Sequence, residues 1–279
     1  MVLPQFYVDD VIRRALTEDI HYLDTTTDLM IAEDARSTAR FVAKADGVVC
    51  GLDVALRVFR LLDDTFSAEV LAGEGTTVTA GDVIATFSGN TRCLLKGERT
   101  ALNLLQHMSG IATATHRAVE LVAGTRAAIT DTRKTLPGLR ALEKYAVTVG
   151  GGKNHRFNLS DGAMLKDNHI DAAGGILTAV AIIRGKLGHM VKLEVETRTL
   201  AEVEQALTAG ADVIMLDNMD CDTMRQAVAM VNGRALLEAS GGITDATLRA
   251  VAETGVDIIS IGALTHSVKA LDISMRIDL

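Results

Sequence analysis

Residues 191–220 read VKLEVETRTLAEVEQALTAGADVIMLDNMD. An apolar strand starts near Val191, a helix follows, and a second apolar strand starts near Val213. Thr199 with Glu202 forms a capping box that opens the helix, and Gly210 stops it. The unit then repeats. Strand starts fall near Val191, Val213, Ala235 and Asp257, each 22 residues after the last, and Thr244 opens a further helix that ends by Gly255. Strands in "AAITD" and "AMLKD" fit the same scheme upstream at wider spacing. Repeated β-α units imply a parallel sheet, and the constant step favours a barrel over an open sheet. Six strands are distinct and a seventh is expected, so the predicted α/β barrel is incomplete, with about seven strands.

The N-terminal part reads differently. Across 41–89 short apolar stretches alternate with glycines, as in "FVAKADGVVCGL" and "AEVLAGEGTTVTAGDVIATFSG", which predicts strands and tight turns around a helix near "LDVALRVFRLLDD". The second stretch is similar to the half-barrel of lipoyl and biotin carrier domains but lacks the exposed hairpin lysine they modify, so it reads as a structural β unit. From Gly97, "GERTALNLLQHMSGIATAT" has helical period, with Ala101, Leu104, Leu105, Met108 and Ile111 on one face. Arg99, Asn103, Gln106 and His107 fall on the other.

Composition narrows the function classes. The 279 residues are 48% hydrophobic and 23% charged, the profile of a globular protein. A net charge of −8 argues against sequence-blind binding of nucleic acid, and nine aromatics without Trp leave few stacking platforms. No apolar run approaches the ~18 residues of a membrane span. Asp9, Asp10, Glu18 and Asp19 are wrong for a signal or transit peptide, and Cys50, Cys93 and Cys221 form neither a disulfide framework nor a zinc pattern. The expectation is a cytoplasmic protein with no nucleic-acid or membrane partner.

In barrels of this kind the chemistry gathers at the C-terminal ends of the strands. Those ends read Asp131, Thr132, Arg133, Lys134; then Lys166, Asp167, Asn168, His169; then Glu194 and Glu196. Asp217, Asn218, Ser240, Gly241, Gly242, Gly262 and Ala263 follow. In "DTRKTLPGLR" two adjacent cations suit a carboxylate or phosphate, and Pro137 is expected at the first helical position. "VGGGKNHRFNLSD" adds Lys153, His155 and Arg156 behind three glycines that let backbone approach a ligand. Residues 131–169 hold seven cations against four carboxylates, net +3, which leaves −11 for the rest of the chain. Such a cationic mouth on an acidic body steers a small polyanion. Glu196 and Asp217 suit Mg²⁺ or sugar hydroxyls, or else pair with these cations. Ser240–Gly242 and Gly262 with Ala263 lie on the last two strands, where backbone N–H groups build phosphate sites.

Taken in order, "GERTALNLLQHMSGIAT", "DTRKTLPGLRALEKYAV", "GGGKNHRFNLSDGAMLKDNHI", "LEVE", "MLDNM", "EASGGI" and "TGVDIISIGALTHS" resemble the quinolinate phosphoribosyltransferase (carboxylating nicotinate-nucleotide pyrophosphorylase) family over essentially the whole chain. Leu136 departs from the family's usual Thr, and "NLSD" from its Leu-Tyr-Asp or Leu-Phe-Asp. The second departure resembles a molybdenum-transport-associated paralogue, which lacks the "KDNH" present at 166–169. The resemblance implies an N-terminal open-faced α/β sandwich (1–104, with the tail 268–279 packing back on it) and a C-terminal incomplete barrel (105–267). It implies a homodimer, or a larger oligomer such as a hexamer built from dimers, with the site shared between subunits. It places Arg99 in the partner's site, and Arg133, His155, Arg156 and Lys166 on the carboxylates of quinolinate. Lys134, with Lys166, falls on phosphoribosyl pyrophosphate, with Thr132 in the same loop. Glu196 and Asp217 would take Mg²⁺ and ribose hydroxyls; Ser240, Gly241, Gly242, Ile261, Gly262 and Ala263 the 5′-phosphate, with His266 behind. The implied catalytic set is Lys134, Lys166, Glu196 and Asp217, and the implied reaction makes nicotinate mononucleotide. Competing readings are the paralogue's role, a Schiff-base aldolase using Lys166 or Lys192, and a non-catalytic small-anion binding protein.

Overall fold

The computed structural model describes residues 2–278. The chain divides into two compact units. The first takes the chain up to His116, Thr135–Gly151, and the chain from Leu264 on; the second takes Arg117–Lys134 and Gly152–Ala263. The helix Thr91–Leu121 runs unbroken through position 104, and its residues up to His116 belong to the first unit.

The first unit carries β1 (Arg36–Ala43), β2 (Gly47–Val48), β3 (Ser67–Val70), β4 (Thr77–Val78), β5 (Val83–Asn90) and the C-terminal β12 (Ile273–Asp278). Its antiparallel sheet runs β12-β1-β5-β3 and pairs Thr38 with Asp278 and Ala43 with Ile273, so the end of the chain is a strand of the N-terminal sheet. Along β1 Ser37, Ala39 and Phe41 are buried while Arg36 and Thr38 are exposed, leaving one polar face open and one apolar face covered by helices. Phe41, Phe59, Phe66 and Phe87 cluster there, with ring centroids 4.8–6.2 Å apart. Ala101, Leu104, Leu105, Met108 and Ile111 are buried as their period requires. Gly110 allows the C-terminal segment to lie on this helix, since a Cβ there would collide with the Lys269 carbonyl. Gln106 Nε2 donates to the Ile273 carbonyl at 2.6 Å alongside.

Two sequence expectations are corrected in this unit. Pro137 is not a first helical residue. Leu136–Leu139 closes as a turn, Leu139 N–H to Leu136 O at 3.1 Å, with Pro137 then Gly138 (φ +83°) at its centre, and the helix starts at Arg140. Gly150 serves packing rather than a ligand: a Cβ there would come within 2.5 Å of the Ala112 carbonyl.

The second unit contains β6 (Ala128–Thr130), β7 (Ala163–Leu165), β8 (Leu193–Thr197), β9 (Val213–Asp217), β10 (Leu236–Ser240) and β11 (Ile258–Ser260). All six form one parallel sheet in the order β6-β11-β10-β9-β8-β7. The expected seventh position is a single parallel bridge, Lys153 to Thr130 on the free side of β6. It extends no further because Asn154 and His155 turn aside to the Asp131 carboxylate, at 2.6 and 2.9 Å. Among the described residues Lys153 has no strand pairing to β7, so the barrel stays open there. The helix Leu200–Thr208 begins at the expected capping box, Glu202 N–H to Thr199 Oγ1 at 3.2 Å. Among the described residues no helix is long and apolar enough to cross a membrane.

Period-two alternation sends Leu193, Val195, Ile214, Leu216, Leu237, Ala239 and Ile259 outward, all buried. Inward-facing residues are unusually polar for a barrel, which is ordinarily filled by branched aliphatics. Register pairs Glu196 with Met215 and Met215 with Glu238 in one layer, and Asp217 with Ser240 and Ser240 with Ser260 in the layer above.

Candidate active site

A cavity of about 390 Å³ opens at the C-terminal ends of these strands. Four of the seven cations of 131–169 line it: Arg133, Lys134, Arg156 and Lys166. The other three do not: Lys144 is fully buried in the first unit, Arg140 donates to Thr135 Oγ1 at 2.9 Å, and Lys153 holds the barrel bridge. Thr132 and His155 also line the cavity, with Glu196, Asp217, Ser240 and Gly241.

Each side chain has a local cause for its position. Thr132 Oγ1 accepts the Lys134 N–H at 3.0 Å and shapes the loop after β6. Arg156 is held by its guanidinium, Nη1 donating to the Gly162 carbonyl at 2.8 Å. Burial, then the Arg133 charge, lowers its pKa. Lys166 stands before the helix Asp167–Ala173, where its N–H donates to His169 Nδ1 at 3.0 Å, a structural use for the last residue of "KDNH". Its Nζ lies 3.3 Å from Glu196 Oε2.

The carboxylates Glu196 and Asp217 share one guanidinium: Arg198 lies 3.9 Å from Glu196 Oε1 and 3.8 Å from Asp217 Oδ2, and donates to Asp167 at 2.8 Å. Arg198 was not among the residues expected from sequence, although it sits two positions past a strand-end glutamate. Two converging carboxylates with oxygen donors fit a hard divalent cation, and Arg198 supplies the positive charge they otherwise require. Gly241 adopts φ +94°, and a Cβ there would collide with the Asn218 side-chain amide. Asn218 itself is left-handed at φ 54°, its N–H donating to the Ser240 carbonyl at 2.9 Å.

Deeper in the barrel His155 meets two buried carboxylates. Its Nε2 lies 3.1 Å from Glu194 Oε2 and 3.4 Å from Glu238 Oε2, and the Arg156 main-chain N–H donates to Nδ1 at 2.8 Å. Burial disfavours the imidazolium, but the hydrogen bonds and charges of the two glutamates outweigh it and push the pKa up to about 10. Burial likewise raises Glu194, with His155 opposing and the Glu238 charge adding. Because Nδ1 accepts the Arg156 N–H, the ring proton that faces the two glutamates sits on Nε2, and the raised proton affinity belongs to His155, Glu194 and Glu238 as a unit.

Gly242, Ile261, Gly262 and Ala263 follow β10 and β11 but are not among the cavity's lining residues, although Ser260 is. Arg99, exposed on its helix, and His266, whose Nδ1 lies 2.6 Å from Ser267 Oγ, belong to the first unit and do not line it either. The departures at Leu136 and Ser160 are exposed turn residues.

A six-stranded parallel barrel that gathers cations and paired carboxylates at its strand ends defines an α/β-barrel enzyme for a small polyanionic substrate. Residues 24–109 match the family described as "Quinolinate phosphoribosyl transferase, N-terminal domain" and 111–276 its C-terminal domain. The chain belongs to the quinolinate phosphoribosyltransferase family. It is 47% identical over 277 residues (98% of this chain, 94% of the relative) to a "Probable nicotinate-nucleotide pyrophosphorylase [carboxylating]" of Synechocystis sp.. A Bacillus subtilis protein of the same description is 48% identical over 262 residues, 94% and 90% of the two chains. The crystal structure of NadC from Streptococcus pyogenes superposes with TM-score 0.95 at 44% identity, covering 99% of this chain and 98% of that one.

Proposed function

We infer that this chain is a carboxylating phosphoribosyltransferase. It converts quinolinate and phosphoribosyl pyrophosphate to nicotinate mononucleotide, pyrophosphate and CO₂, in de novo NAD biosynthesis. The observation that carries the reading is the convergence of Arg133, Lys134, Arg156 and Lys166 with Glu196 and Asp217 in one cavity, in a chain of this family.

The chemistry suits those charges. The pyridine nitrogen attacks C1 of the ribose; the C1–oxygen bond breaks and its electron pair leaves with pyrophosphate. The ring nitrogen becomes cationic, the C2–carboxyl bond breaks with its pair retained on C2, CO₂ departs, and C2 takes a proton. Arg133, Arg156, His155 and Lys166 would hold the two carboxylates of quinolinate, and Lys134 with Lys166 the pyrophosphate. Glu196 and Asp217 would hold the ribose hydroxyls and Mg²⁺, which when bound neutralises developing charge on the leaving group. Thr132 lines the same cavity beside Lys134 and would contact substrate there; Ser240 and Gly241, with Gly242, Ile261, Gly262 and Ala263 beyond them, would serve the 5′-phosphate end, and His266 would assist. No nucleophilic side chain is required, because catalysis here is orientation and charge placement. We further propose a cytoplasmic enzyme that works as a homodimer, or as a larger oligomer of dimers, with Arg99 reaching the partner's site.

One assay tests the reading. Purified chain with quinolinate, phosphoribosyl pyrophosphate and Mg²⁺ is expected to release nicotinate mononucleotide and CO₂. If neither forms, the binding-protein or paralogue reading takes its place; borohydride trapping on a lysine would favour the aldolase instead.

A further inference from the structure

Below the cations of the cavity, the barrel interior carries two carboxylates to which the reaction assigns no contact with substrate or metal. Glu194 and Glu238 are 6% and 1% exposed. Burying two like charges side by side is costly, and apolar residues would fill a barrel more cheaply. Each aims one oxygen at His155 Nε2, while the other, Oε1, is buried without a hydrogen-bond partner among the described residues. The far edge of the ring receives the Arg156 amide, and the His155 main-chain N–H is held by Asp131 at 2.9 Å.

Packing alone does not hold this ring. A second cavity, of about 320 Å³, opens on the other side of the same residues, at the strand starts marked by Val213, Leu236 and Ile258. His155, Arg156 and Glu238 line both cavities, with space above and below them. Above them burial, then the Arg133 charge, lowers the Arg156 pKa, and the Glu194 charge opposes that shift.

We propose that Glu194 and Glu238 are positioning residues for the dicarboxylate subsite: from beneath, they fix the His155 ring. The inference rests on the reading of quinolinate as substrate. Its sign is distinctive. A carboxylate near a dicarboxylate repels it, so by Coulomb's law alone its removal tightens anion binding. Acting through His155, the same removal weakens binding.

The test is E194Q and E238Q, each with kinetics for both substrates and calorimetry with phthalate, a benzene 1,2-dicarboxylate. Each variant is expected to raise KM for quinolinate and Kd for phthalate by about tenfold or more, with KM for phosphoribosyl pyrophosphate within about twofold. In an H155Q background, E238Q is expected to add less than about twofold to the phthalate Kd. Unchanged or tighter dicarboxylate binding, an equal loss for both substrates, or a further tenfold loss in the H155Q background overturns the proposal. If either variant fails to fold, ¹⁵N spectra of the wild-type histidines decide. A His155 ring protonated on Nε2 without titrating across neutral pH is expected, and a ring titrating at the ordinary value of about 6.5 overturns it. Wild-type chain that neither turns over quinolinate nor binds phthalate would instead overturn the function reading; turnover with unaffected variants overturns this inference alone.

Discussion

At the scale of residues, the site is a matter of which charges face the cavity and which are spent elsewhere. Arg133 and Arg156 both line it, and both meet the substrate's carboxylates in the proposed reaction. R133A or R156A is expected to lose on the order of 2–5 kcal/mol of transition-state binding, as a desolvated charge pair does, read as kcat/KM for quinolinate. Wild-type kcat/KM in either variant would sink the dicarboxylate assignment. Gly241 makes a different demand: φ +94° and the adjacent Asn218 amide leave no room for a side chain. G241A is expected to raise KM for phosphoribosyl pyrophosphate more than KM for quinolinate, and equal effects on the two would argue that this turn does not hold the phosphate. The run 131–169 is cationic in sequence, yet Lys144 is sealed in the other unit and Arg140 ties its own loop. Net charge along a chain does not tell which guanidinium is turned toward a ligand.

At the scale of elements, the β-α repeat was readable because a parallel strand buried on both faces needs an apolar run, a cap and a stop at regular intervals. The six strand positions, the Thr199–Glu202 box and the apolar face around Leu105 all lie where period and caps put them. Pro137 does not, because Gly138 follows it and turns the pair into the centre of a turn. Strand β8 is joined to β9 partly through Asp212, whose Oδ2 accepts the Leu193 N–H at 2.7 Å and the Arg184 guanidinium at 2.6 Å. Burial pushes this carboxyl up, but those hydrogen bonds and charges outweigh it and hold its pKa below the usual range. A depressed folded pKa gives stability that is present above the ordinary carboxylate value of about 4 and is lost as pH falls through the lower folded value. D212N is therefore expected to be less stable at pH 7 and to lose less on acidification. Urea midpoints measured from pH 7 down to about 3 check this, and parallel slopes for wild type and variant would refute it.

At the scale of the whole molecule, a chain of net charge −8 turns four cations into one cavity, a distribution that steers a small polyanion there. Arg99 is exposed on its helix and belongs to the unit that does not hold the cavity. In the proposed shared site it acts on a neighbouring copy. Mixing R99A with a K166A chain is then expected to restore part of the activity, since some hybrid sites regain both residues. Absence of complementation, with hybrids verified by mass, would argue against sharing.

Local pattern along the chain carries the β-α periodicity, the break between a glycine-punctuated N-terminal part and a barrel, and the motifs that mark the family. Each of these is local: caps, period and spacing depend on neighbours within a turn or two of chain. The remaining features are long-range and come from packing. The barrel counts six strands and one bridge because Asp131 pulls Asn154 and His155 out of line. Arg198 joins Glu196 to Asp217 across two strands. Glu194 and Glu238, 44 residues apart, meet at one imidazole because β8 and β10 both flank β9 and turn these side chains inward. Such pairings depend on sheet order and register, which no local pattern along the chain encodes.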